Sequence, residues 1–397
     1  MNIKHLIFGL LPLQSYGRYD KAEADRTKEA FFDEIKDTGS KPFFDKVFSY
    51  IDQLNENNDF VLRALLDFDG TIATNAFLTT VFEYQVENHR FAFKSKDDID
   101  KVFGFSLVDK KKLSCVPTTF KGDMENNVQP TGDFSKIVDL IKKSFATGSL
   151  KDGPTTANLI YTWNKQAYVH MKATKGCEYL HHTLQVRLLH NMGEKARETL
   201  MRDALAAAKG KVDPKFVDVK IDGIKVTTKL YNNNAIPFTE QVKLLAALGA
   251  RGVKTCIISA THYAYLKVAI KIFELTGISE VYGSTPKDGE EENILRGDGV
   301  AIAGEGKATL IKEKWNEPST KLVFSAGDSS NDYPMLRHVL EKGGYIVVQS
   351  DHAVEDATMK QVLERNNKAR FQPVNEKQAK WISNLPKGGN ENKEASS

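Results

Sequence analysis

The chain has 397 residues, 41% hydrophobic and 27% charged, an ordinary globular composition with enough apolar material for two domains. Fifty-five Lys and Arg against 52 Asp and Glu leave a net charge of +3, spread along the chain, so no basic footprint for nucleic acid exists. No apolar run is long enough to cross a bilayer as a helix, and no stable membrane insertion is expected. Cys115, Cys177 and Cys256 are widely spaced, odd in number and without a CxxC, so neither a disulfide framework nor a zinc site is expected. Three unpaired cysteines suit a reducing compartment and favour the cytoplasm.

Met1 to Lys4 is positively charged, and Leu6 to Leu13 is apolar apart from Gly9 and Pro12. This resembles a short secretory signal without a cleavage site; a first core-packing segment is the preferred reading, and export to a periplasm or beyond stays open. Apolar residues then recur at helical spacing from Asp20 to Leu54, with Gly39-Ser40-Lys41-Pro42 dividing two helices, an accessory segment within residues 1–59. Val61 to Leu66, broken only by Arg63, reads as a strand buried on both faces. It runs into Asp67-Phe68-Asp69-Gly70-Thr71-Ile72. Carboxylates two apart leave a strand on the same side, so Asp67 and Asp69 converge just past its end, and Gly70 lets the chain turn away.

About 165 residues separate this strand from the next strand-helix pattern, enough for an inserted domain over 75–236. The insert reads as mainly helical. It has a helical stretch from Tyr179 to Ala208 that breaks near Gly193, and a hairpin about Asp222-Gly223. From Pro237 helices and strands alternate: helix 238–248, strand 252–259, helix 263–275, strand 281–282, helix 307–315, strand 321–326, helix 333–341 and strand 345–349. Such alternation predicts an α/β fold with a doubly wound parallel sheet over 60–74 and 237–366 and ligands at the carboxyl ends of its strands. The tail over 386–397 has a disordered composition.

Three more polar stretches fall at those ends: Ser259-Ala260-Thr261 after a core strand, Gly306-Lys307 opening a helix, and Gly327-Asp328-Ser329-Ser330-Asn331-Asp332 after another strand. Singly, each has a plain structural explanation as a cap, a surface lysine or a polar loop. Jointly, four carboxylates, a hydroxyl and a lysine gathered at one sheet edge would repel without a cation, and an all-oxygen set favours Mg²⁺ over zinc.

Asp67-Phe68-Asp69-Gly70-Thr71, Ser259, Lys307 and Gly327-Asp328-x-x-Asn331-Asp332 resemble the four motifs of the haloacid dehalogenase superfamily of phosphohydrolases, in order and in placement. The insert after the first motif is similar to a C1-type cap. Residues 238–261 and Tyr282-Gly283-Ser284 look like the phosphoserine and phosphorylcholine phosphatase branch. The resemblance implies a Rossmann-like core with a helical cap, and Asp67 as nucleophile forming an aspartyl-phosphate. It implies Asp69 as general acid and then base. Ser259, Ala260, Lys307 and Gly70 would bind the phosphoryl group, with Ser259 and Lys307 stabilising charge in the transition state. Mg²⁺ would be held by Asp67, the Asp69 carbonyl and Asp328, with support from Asp332, while Thr71 and Asn331 hold loop geometry.

Departures from the family pattern bear on the substrate. Ala73-Thr74-Asn75-Ala76 lacks the glutamate that reads a substrate ammonium in phosphoserine phosphatases, and Glu83 and Glu87 lie further along. His262 is read as a helix cap rather than a leaving-group contact. Trp163, with Tyr161, Lys165, Tyr168 and His170 near it in sequence, is read as core of the insert rather than a cation–π cage for a quaternary ammonium. The leading expectation is a Mg²⁺-dependent phosphomonoesterase for a small phosphorylated metabolite such as phosphorylcholine or a related phosphoamine. A protein phosphatase and a non-catalytic binding protein on the same fold are the alternatives. Oligomeric state is not legible.

Overall fold

A computed structural model describes residues 19–56, 59–74, 77–122, 131–147, 155–208, 215–230 and 235–385. The readings of residues 1–15 and of the tail from 386 lie outside these. The chain forms two compact units. The first takes the described residues up to Phe77, then Ala235–Gly283 and those from Ile302 on; the second takes those from Leu78 to 230, with Ser284–Ala301.

The first unit contains helices α1 (Lys21–Glu34), α2 (Lys41–Glu56), α3 (Thr239–Gly249), α4 (Tyr263–Ile272), α5 (Glu305–Lys314), α6 (Tyr333–Glu341) and α7 (Ala357–Arg365). Its strands are β1 (Val61–Leu66), β2 (Lys254–His262), β3 (Ile278–Pro286, whose last three residues belong to the second unit), β4 (Thr320–Gly327), β5 (Tyr345–Ser350), β6 (Ala369–Asn375) and β7 (Lys380–Trp381). They lie in the order β7-β6-β5-β4-β1-β2-β3, with β1 parallel to β2 and β4, β5 parallel to β4 and β6, and β7 antiparallel at the edge. This is the doubly wound α/β sheet that the alternation of apolar strands and helices predicts.

Two expectations about this unit change. The amino-terminal helices are not accessory, because their apolar stripes cover one face of the sheet. Phe44 stacks on Trp381 of β7 at 5.5 Å and meets Phe324 of β4 at 6.0 Å. The fully buried Arg251 bonds Ala24 O at 2.9 Å and pairs with Asp52 at 3.0 Å, with its guanidinium over Phe48. The sheet also runs past residue 366 into β6 and β7. Arg370, Gln372, Pro373 and Asn375 break the apolar run there, yet Ser40 donates to Gln372, which is fully buried and so satisfied.

The second unit is mainly helical with two small hairpins, Thr119–Lys121 with Thr131–Asp133 and Lys215–Ile221 with Ile224–Leu230. Its core includes Trp163, fully buried between Phe103 (5.0 Å) and Phe105 (5.5 Å, stacked), with Nε1 donating to Phe103 O at 2.9 Å. Residues 284–301, expected to follow the α/β rhythm, belong here because of a buried cation. Arg187 donates to the carbonyls of Lys101 (2.8 Å), Val102 (3.0 Å), Ile294 (3.2 Å) and Leu295 (2.9 Å). A Cβ at Gly297 or Gly299 would lie 2.6 Å from Leu180 or 2.4 Å from Tyr179, so this backbone packs too closely for any other residue.

Cys115 and Cys177, both buried in the second unit, form a disulfide with Cα atoms 5.5 Å apart across 62 residues of sequence, and Cys256 is free. The expectation of three unpaired thiols is therefore corrected, and the argument for a reducing compartment loses its premise. Wide spacing hides a pair that the fold brings together.

Candidate active site

The register of the central strands assembles the site. Leu66 lies opposite both Ile257 of β2 and Ala326 of β4, and Gly327 opposite Val348 of β5. Asp67, Ser259, Asp328 and Gln349 therefore all emerge at one carboxyl edge. The Asp67 amide still donates to Ala326 O at 3.0 Å, which fixes the nucleophile candidate as a continuation of β1. Between the two aspartates, Phe68 is fully buried, with Phe273 at 6.3 Å and Phe77 at 6.1 Å, whereas Asp67 and Asp69 accept from Lys307 and Thr261 respectively.

Lys307, in the first turn of α5, is almost entirely buried; its Nζ donates to Asp67 Oδ1 at 2.6 Å and to Asp332 Oδ1 at 2.5 Å. Oδ2 of Asp332 accepts the amides of Asp328 (2.9 Å) and Ser329 (3.1 Å), so this carboxylate braces the loop after β4. One oxygen from each of Asp67, Asp328 and Asp332 lies within 4.8 Å of the others. Space around them is reserved by glycine. At Gly70 (φ +74°) a Cβ would sit 2.5 Å from the Asp328 carboxylate, and at Gly327 it would sit 2.3 Å from Asp332.

Burial dominates the electrostatics. It pushes Asp67 up to about 7, with Lys307 pulling back and Asp332 and Asp69 pushing further up. Asp69 is raised to about 6 by burial, against a hydrogen bond from Thr261. Asp328 is held well above the usual carboxylate range by burial and by its neighbours Asp332 and Asp67. Burial disfavours the Lys307 ammonium, but Asp332 and Asp67 outweigh it and raise the group overall. Four carboxylates thus crowd a site whose lysine hydrogen-bonds two of them. Every donor in the cluster is oxygen, and the crowding of negative charge is what a hard divalent cation relieves, so the residues present fit Mg²⁺.

Ser259 is buried, and its Oγ accepts the Thr261 amide at 3.2 Å; Ala260 is half-buried. Thr71 Oγ1 is buried without a hydrogen-bond partner among the described residues, and Asn331 is exposed. The first loop is held instead by Gln349 of β5. Its Nε2 donates to Gly70 O (2.9 Å) and Thr71 O (3.0 Å), while its Oε1 accepts from Gln241 Nε2 (3.0 Å) and Trp381 Nε1 (2.9 Å). Sequence reading missed this residue; the signal was a polar side chain inside the otherwise apolar run Tyr345–Val348. Also missed was Glu376 after β6, raised to about 7 by burial and by the charge of Asp351. His262 caps α4, its Nδ1 accepting the Ala264 amide at 3.2 Å. The face of Trp163 is covered by Phe105, which leaves no open ring for a quaternary ammonium.

A wound parallel sheet that gathers buried carboxylates, a lysine and a hydroxyl at its carboxyl edge is an α/β enzyme working at that edge. Residues 156–337 match the model of the haloacid dehalogenase-like hydrolases. The matched span holds Ser259, Lys307, Asp328 and Asp332; Asp67 to Thr71 lie before it and join them through the sheet register. A solved structure from Anaerococcus prevotii, described as a conserved functionally unknown protein, is similar over 82% of this chain and 89% of its own, at 16% identity and a TM-score of 0.58, which shows a shared fold. A HAD family hydrolase from Salmonella enterica serovar Typhi is 12% identical over 81% of this chain and 70% of its own, with a TM-score of 0.33. A probable phosphoserine phosphatase from Vibrio cholerae is 13% identical over 77% and 59%, with a TM-score of 0.31. No curated protein matches the chain.

Proposed function

We propose that the chain is a Mg²⁺-dependent phosphomonoester hydrolase that works through an aspartyl-phosphate on a small phosphorylated metabolite of the phosphorylcholine or phosphoamine kind. The observation that carries this reading is a division of labour between two aspartates. Asp67 is gripped by Lys307, whereas Asp69 is not, and its Oδ1 atom is buried without a partner among the described residues. One group is held as a nucleophile and the other is left to exchange a proton.

A carboxylate oxygen of Asp67 attacks phosphorus while Lys307 and the Ser259 hydroxyl bind phosphoryl oxygens and offset the charge that develops there. Asp69 protonates the departing ester oxygen, and the same carboxylate then takes a proton from the water that hydrolyses the acyl phosphate. Asp67, Asp328 and the Asp69 carbonyl would hold Mg²⁺, with Asp332 behind them, and when bound it would lower the repulsion between nucleophile and phosphate. Gly70 and Ala260 would offer backbone amides to the phosphoryl group. The test is phosphate release from a panel of aryl, alkyl and amino-alkyl phosphomonoesters, with Mg²⁺ and with EDTA, by the wild type and Asp67→Asn. Release that needs Mg²⁺ and disappears in the variant is expected. Equal release by the variant would end the aspartyl-phosphate reading.

A further inference from the structure

Asp69 is tied down at one oxygen only. The Thr261 hydroxyl, on the last turn of pleat in β2, donates to Asp69 Oδ2. Oδ1 of the same carboxylate is buried and has no hydrogen-bond partner among the described residues. An unpaired buried acceptor costs about 1–3 kcal/mol, a cost that a reacting oxygen placed against it would remove. Thr261 is itself buried, and a β-branched side chain on a strand has little rotamer freedom to give the bond up. Its amide is engaged as well, donating to Ser259 Oγ at 3.2 Å, which leaves the serine's own proton to be donated elsewhere. Lys307 donates to Asp67 and Asp332, and no hydrogen bond joins it to Asp69 among the described residues.

We infer that Thr261 is a positioning residue for the leaving-group proton: by occupying Oδ2 of Asp69 it confines proton exchange to Oδ1, the oxygen left without a partner among the described residues. The inference rests on the phosphomonoesterase reading above. In the first half-reaction the bond from phosphorus to the ester oxygen breaks as the bond to Asp67 forms, and the proton on Oδ1 moves to the departing oxygen. In the second, water bonds to phosphorus, its proton returns to Oδ1, and the bond to Asp67 breaks to give inorganic phosphate. Without Thr261 the carboxylate can rotate and present its proton away from the ester.

The experiment compares kcat/KM for p-nitrophenyl phosphate and a primary alkyl phosphate in the wild type, Thr261→Val and Thr261→Ser, with Mg²⁺ throughout. kcat/KM reports steps only through the first half-reaction, where a nitrophenolate leaves without help and an alkoxide does not. Thr261→Val is expected to lose about 10- to 100-fold on the alkyl ester and less than about threefold on the aryl ester, within the range that general acids contribute. Thr261→Ser is expected to recover most of the alkyl rate. Equal losses on both esters, or an alkyl rate that serine does not restore, would make Thr261 a structural residue and overturn the inference. Wild type inactive on both esters would instead remove the phosphomonoesterase reading itself, and this inference with it.

Discussion

Replacing Asp67 with asparagine should abolish turnover and yet stabilise the metal-free protein. Burial and the neighbouring carboxylates move Asp67 from 3.8 to about 7, so folding in EDTA takes up a proton between those values. The folded value lies above the unfolded one. The cost of the ionised group is therefore absent below pH 3.8, grows as pH rises, and is complete above about 7. At about 1.36 kcal/mol per tenfold change in proton affinity the ceiling is about 4 kcal/mol at pH 8 and about 2 kcal/mol at pH 5. An asparagine amide pointing at Lys307 returns part of this. With about 2–4 °C per kcal/mol for a unit of this size, Asp67→Asn should unfold roughly 5–10 °C above the wild type at pH 8 in EDTA, and about half as far above it at pH 5. Calorimetry of both proteins across that range is the assay. A gap that ignores pH, or a wild type that melts higher at pH 8 in EDTA, would refute the electrostatic account of the site.

Lys307→Met should leave Asp67 and Asp332 buried without their cation, costing about 3–5 kcal/mol in a denaturant melt at pH 8. Its phosphate release should fall at least about a thousandfold, as expected for loss of a preorganised charge in the site. The Cys115→Ser, Cys177→Ser double variant should lose about 2–4 kcal/mol in the unit that holds the pair and become indifferent to reductant. Thiol titration of the denatured, unreduced wild type should then find only Cys256, and three reactive thiols would contradict the pairing.

What could be read from sequence follows from how local the signal is. β1 and α6 keep their expected bounds because apolar runs and a Pro-opened amphipathic pattern are complete within each segment. The elements carrying Asp67, Asp69, Ser259, Lys307, Asp328 and Asp332 were legible because each group follows or opens such a segment. Features held together by distant partners were not. β6 is strand-forming only with Ser40 and its neighbours to satisfy Gln372. Arg187 among leucines announces no partner, since its four acceptors are backbone carbonyls from two remote segments. Strand β2 runs on through Thr261 to His262, beyond its expected end at Ser259, and that extension is what delivers a hydroxyl to Asp69.

The hydrogen bonds from Gln349 to the carbonyls of Gly70 and Thr71, and from Trp381 to Gln349, give synthesis a direction. The loop carrying Asp67 and Asp69 leaves the ribosome early, but its brace arrives only some 280 residues later, and the indole that orients the brace later still. β1 itself pairs with β2 and β4, which are also made later, so the loop lacks its fixed shape until most of the sheet has been synthesised. Loss of the last strand, β7, would therefore take a hydrogen bond from the brace of the loop that carries Asp67 and Asp69.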